Sequence, residues 1–173
     1  MFIRIGAATA ALCLLAGSAF AQSAKPTDPQ IAHIAYTAGQ IDIAAAQLAL
    51  KKSKNKDVRA FAADMERDHK AVNDKALALV KKLNVKPEDN PTSQQLSKQA
   101  SDKRAELSKL NGAAFDKAYI DNEVAYHKTV NGALQNTLIP SASNQEHKDL
   151  LTTGLKIFQG HEQHAEHVAA DFK

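Results

Sequence analysis

From Ile31 to Phe172 apolar side chains return every three or four positions, and no stretch of similar length alternates apolar with polar. That period belongs to helices burying one stripe each, and it leaves nothing from which to build a sheet. Asp28-Pro29 reads as an N-cap followed by proline, opening a first helix that ends in lysines at 51 and 52, where they suit the dipole. Asn55 caps a second helix over about 56–83, striped by Val58, Phe61, Met65, Val72, Ala76, Leu79 and Leu83. Asn90-Pro91 repeats the cap for a mostly polar helix at about 92–110, and a fourth helix at about 113–138 runs until Pro140 breaks it. Ser143-x-x-Glu146 reads as the capping box of a last helix, about 144–172. The expected fold class is all-α: an antiparallel four-helix bundle with an additional crossover helix.

Residues 1–21 have a different grammar. Arg4 precedes an apolar run from Ile5 to Leu15, and Ala19-Phe20-Ala21 supplies a small-x-small cleavage pattern, which reads as a secretory signal peptide. Residues 22–27 are then a short linker and residues 28–173 a single helical domain. The apolar run falls short of the ~20 residues a membrane span requires, so no transmembrane segment is expected in the mature chain. The expected location is periplasmic, with peripheral outer-membrane association left open. Cys13, the one cysteine, lies within the signal segment. The mature chain therefore has no disulfide and must stand on an apolar core, which a chain of this length can supply by burying roughly two-thirds of its unfolded surface. The net charge is only +3 and the lysines are scattered without interleaved aromatics, so no nucleic-acid partner is indicated.

Polar residues interrupt the apolar stripes at one level. His69 stands four after Met65 and three before Val72; Asp42 sits among Ala38, Ala45 and Ala49; Glu123 and His127 share the side of Tyr119, Tyr126 and Val130; His161 lies between Phe158 and Ala165. Each lies near its helix midpoint, so antiparallel packing brings them into one layer. A bare carboxylate buried there costs several kcal/mol unless paired or coordinated. The layer is thus either a closed hydrogen-bond network or a metal site with candidate ligands Asp42, Glu66, His69, Glu123, His127 and His161. Glu66-x-x-His69 has the i, i+3 spacing that projects two ligands from one turn, and imidazole with carboxylate suits Zn, Fe or Cu. In "HEQHAEH" the spacing of three turns His164 and His167 outward from His161, leaving them a solvated face or a loose metal site. No nucleophile with an activating context and no glycine-rich phosphate loop is present.

The blocks "QIDIAAAQLALKKSKNKDVRAFAADMERDH", "GAAFDKAYIDNEVAYHKTV" and "IFQGHEQH" resemble the bacterial domain-of-unknown-function family 4142, whose members often carry an outer-membrane label. The likeness covers about residues 28–170. It implies a ferritin-like four-helix bundle with a crossover segment, and it matches His69, His127 and His161 to the family's recurrent histidines. Asp42 stands where the family more often has glutamate. The E-x-x-H pair of ferritin-like oxidases occurs once, at Glu66 and His69, rather than on two helices. Three readings follow. The first is an exported binding protein holding a transition metal in the interior layer. The second is a metal-free structural or stress-related interaction module with an unknown protein partner. The third is a ferritin-type oxidase, for which the residues offer least.

Overall fold

The structure, a computed structural model, describes residues 25–172. The signal-peptide reading and residues 22–24 of the linker lie outside these residues. Six helical elements follow one another: α1 (Asp28–Lys52), α2 (Lys56–Lys82), α3 (Pro91–Ser108), α4 (Gly112–Ala133), α5 (Ile139–Ser141) and α6 (Gln145–Ala170). The five residues Leu134–Leu138 between α4 and α5 form a π turn, so α4 through α5 is one continuous rod. The expected all-helical class is what the described residues adopt.

The ring order is α1–α2–α6–α4, with α3 laid outside against α1 and α4. At the upper end the Asp28 carboxylate accepts from the Ser143 and Asn144 amides at 3.0 and 3.1 Å. At the lower end the Lys52 ammonium reaches the Ser108 carbonyl at 2.8 Å. Because α3 carries the chain from the top back to the bottom, α4 runs parallel to α2, and every neighbour in the ring is antiparallel.

The helix starts show local chemistry at work. Asn55 and Asn90 cap α2 and α3 as the sequence predicts. Two caps differ. Thr27, not Asp28, caps α1 through a reciprocal bond with Gln30, because Asp28 is committed to the start of α6. Ser143 is in turn engaged by Asp28, so Asn144 caps α6 by accepting the His147 amide at 3.1 Å. The fourth helix does not run regularly to 138. Pro140 has no N–H and crowds the preceding turn, and the wider π turn takes it up, with the Ile139 amide reaching the Leu134 carbonyl.

The core is two cores. Below the midpoint Ala46, Ala49, Val58, Phe61, Met65, Phe115, Tyr119 and Ile120 are sealed from solvent. Above it Ile31, Ile34, Leu134, Leu138, Leu151 and Phe158 form a second cluster. Between them lies the polar layer. Just above that layer α1 and α2 approach closely at Gly39, where a Cβ would stand 2.8 Å from both Cγ and Nδ2 of buried Asn73. Gly39→Ala is therefore expected to lose ~1–3 kcal/mol of stability by overpacking. Urea denaturation checks this, and Asn73→Ala should restore most of the loss in the double variant.

Candidate metal centre

Each of the four ring helices contributes to the layer at mid-height. Asp42 comes from α1, His69 from α2, Glu123 and His127 from α4 and His161 from α6, and all five are buried. Their positions follow from the stripes: each replaces one apolar side chain at the point where its helix faces the bundle axis. The three imidazole rings sit 5.3–5.8 Å apart, centre to centre. Asp42 Oδ2 lies 2.9 Å from His69 Nε2 and 3.3 Å from His127 Nε2. Phe158 stacks flat on His69 at 4.4 Å and closes the layer from above.

Hydrogen bonding sets which nitrogens are free. His127 Nδ1 lies 2.9 Å from the Glu123 carbonyl, an acceptor, so this nitrogen carries the proton and Nε2 keeps its lone pair. His161 Nε2 donates to Asp68 Oδ2 at 3.1 Å, which leaves Nδ1 facing inward. Asp68 is itself held by a two-pronged bond from Arg67 at 2.7 and 3.0 Å. A carboxylate behind an imidazole orients a ligand ring and raises its basicity.

Protonation follows from burial and neighbours. Burial pushes the Glu123 carboxyl well up, and the adjacent Asp42 charge adds to it, so Glu123 is held as the acid. Burial works against ionising Asp42 as well, but the surrounding imidazoles outweigh it and hold this carboxyl below its ordinary range. Burial also pushes His127 down despite Asp42, and takes His161 down to about 4 against the pull of Asp68. The layer thus presents a carboxylate and at least two neutral imidazoles.

Seven buried atoms of the layer lack a well-aligned hydrogen bond: both oxygens of Asp42, both ring nitrogens of His69, Glu123 Oε2, His127 Nε2 and His161 Nδ1. Asp42 is engaged in part, by His69 Nε2 at 2.9 Å and by the protonated Glu123 beside it, whereas His127 Nε2 and His161 Nδ1 have no partner. An unsatisfied buried polar atom costs ~1–3 kcal/mol, and inward nitrogens left so in one layer call for something to fill it. His69, His127 and His161 each offer a nitrogen within 4.8 Å of the others, and Asp42, Glu123 and His127 form a second such group. Donors around a tetrahedral ion with ~2.0–2.1 Å bonds stand about 3.4 Å apart, so the donor set fits a transition-metal ion that would draw these groups slightly inward.

Of the residues singled out by sequence, Glu66 is placed apart. It is half-buried and accepts from Gln47 at 2.9 Å, because three residues of helix turn it to the α1 side of the His69 stripe. Asp68, one residue before His69, turns the other way and meets His161. Asp68 is not among the candidate ligands the sequence yields; its place across the His69 stripe from Glu66 was the available signal. His164 is half-buried edge-on to Phe61, and His167 is exposed.

A family model described as Domain of unknown function (DUF4142) matches residues 14–168. The chain belongs to the DUF4142 family. Two solved structures are similar to this DUF4142 protein. A DUF305 protein from Streptomyces coelicolor, described as secreted, has a TM-score of 0.70 at 9% identity, over 83% of this chain and 91% of that one. A DUF305 fragment from Deinococcus radiodurans has a TM-score of 0.68 at 17% identity, over 84% and 99% respectively. At such identities the likeness shows the fold alone. Among curated proteins no relative matches significantly.

The folded value of His161 lies below the ordinary 6.5, so between pH 6.5 and about 4 the unfolded chain binds more protons than the folded one. This group's stabilising contribution is full above pH 6.5 and is lost as pH falls through that window. In metal-free protein the His161 ring signals, followed by NMR, are expected to titrate near 4. Asp68→Asn should move that midpoint lower still. A wild-type midpoint above 6 would contradict the neutral ring.

Proposed function

We propose that this DUF4142 protein is an exported, non-catalytic binding protein that holds one transition-metal ion in its mid-bundle layer. The inward imidazole nitrogens left without partners, His127 Nε2 and His161 Nδ1, carry the reading. The inward nitrogens of His69, His127 and His161 with the Asp42 carboxylate make the ligand set, and Glu123 stands beside it as a protonated neighbour. One ion rather than two is favoured, because His127 Nδ1 is spent on the Glu123 carbonyl and only Nε2 remains. A set rich in imidazole suits Zn, Cu or Fe rather than Mg or Ca. The ion would supply positive charge where the chain has gathered lone pairs; the chain's own residues orient the rings, exclude water and anchor His161 through Asp68 and Arg67. A cavity of about 220 Å³ beneath α3, lined by Asp42 and Glu123, offers an approach from the carboxylate side.

Export is supported by the signal-like first 21 residues. Among the described residues no helix is long and apolar enough to cross a membrane.

Elemental analysis of untagged protein is the direct test. Near-stoichiometric metal is expected, lost in His69→Ala and His127→Ala and retained in Glu66→Ala, with a thermal midpoint that drops on chelation. Protein that is metal-free and also ignores added Zn²⁺, Cu²⁺ and Fe²⁺ would sink the reading. The layer would then be structural, and His69→Leu would stabilise the fold.

A further inference from the structure

The upper half of the bundle is not packed like the lower half. The stripe of α2 continues past the polar layer through Val72, Ala76, Leu79 and Val80, yet none of these is buried. All four line a cavity of about 740 Å³ enclosed by α1, α2, α6 and the α4–α5 rod. Protein interiors keep few voids larger than a water molecule, and a cavity of this size lies within the range of sites that enclose small organic ligands. A second feature points to the same place. Leu134, Thr137 and Leu138 of the π turn form part of the wall, and π turns inside helices are frequent at functional sites.

The shape and chemistry of the cavity select an occupant. It runs along α1 from Gln30 to Ala38 and along α6 from His147 to Phe158, a depth of roughly 12–16 Å at 1.5 Å rise per residue. Its floor is Phe158, already stacked on His69, and its other deep walls are aliphatic. A flexible alkyl tail matches these aliphatic walls, among which Phe158 is the one phenyl ring. Polar groups inside are largely engaged: the Asn73 amide reaches the Tyr36 carbonyl, Thr129 bonds the Ala125 carbonyl and His147 lies 3.4 Å from Asp28.

The rim differs. Lys25, Thr27, Gln30, Asn90 and Thr92 stand there, at the starts of α1 and α3. Lys25 is the one Lys, Arg, Asp or Glu among the lining residues. The nearby carboxylates keep their charge, but none lines the cavity, and each is turned to another partner: Asp28 to Ser143, Glu88 to Gln30 and Asp89 to Ser93. Helix starts and a lysine together favour an anionic group.

We propose that the upper cavity binds a single-chain anionic amphiphile, a medium-chain alkyl carboxylate, with its tail between the helices and its head at Lys25. This proposal does not rest on the metal site, and it is tested with chelator present so that either can fail alone.

Dodecanoate, kept below its micellar concentration, is titrated calorimetrically into the protein in EDTA. One saturable site is expected, with a negative heat-capacity change from apolar burial. Ala76→Phe, which fills the cavity, should weaken binding at least tenfold while its thermal midpoint stays at or above that of the wild type. Lys25→Gln should weaken dodecanoate several-fold and leave dodecanol unchanged. Absence of saturable heat, or undiminished affinity in a folded Ala76→Phe protein, overturns the proposal. So does light scattering that shows a dimer dispersed by Ala76→Phe, since a second copy would then be the occupant.

Discussion

A carboxylate at the centre of an apolar bundle is the constraint around which the molecule is arranged. Asp42 is sealed from water yet held ionised, and that state costs several kcal/mol of desolvation unless its surroundings return it. The imidazoles of three other helices and the protonated Glu123 beside it are the groups close enough to do so. A slip of any ring helix by one turn, ~5.4 Å, would strand the charge against alkyl groups. The layer therefore fixes helix register in a way that interchangeable leucines and alanines do not. It does so through short polar distances, not through shape.

The two apolar halves on either side answer to different demands. Below the layer, alanines on α1 let α2 approach closely, and Phe61, Met65, Phe115 and Tyr119 fill the space to solid-like density. Above it the same helices line a space that the side chains do not fill. The stripe of α2 is apolar in both halves but bulkier below, with Phe61 and Met65 there and Val72 and Ala76 above, and what stands opposite differs too. In the upper half that is the α4–α5 rod, widened where Pro140 forces an extra residue into the turn.

Much of this was legible from residue order. The 3–4 period marked the helices, and mid-helix polar residues on apolar faces marked Asp42, His69, Glu123, His127 and His161 as one group. What escaped did so for physical reasons. Ser143 and Asp28 each looked like helix caps, but they bond each other across more than a hundred residues, and local pattern cannot register a distant competitor. Glu66 and Asp68 flank the same arc, and choosing between them requires knowing which neighbour lies on which side. The upper cavity left no trace, because an apolar stripe reads the same whether it faces a side chain or a space. The signal-peptide reading concerns residues outside those described.

The crossover made by α3 has a consequence for assembly. With α1 and α2 joined by a tight turn, and α4 and α6 joined through the π turn and α5, the molecule is two helical hairpins docked face to face and strapped by α3. Asp42 and His69 belong to one hairpin; Glu123, His127 and His161 belong to the other. Each hairpin brings only part of the layer: Asp42 has His69 beside it, but His127 and His161 come from the other half. The interior therefore becomes dry only when both halves meet in the right alignment, and the charged layer acts as a checkpoint on their docking.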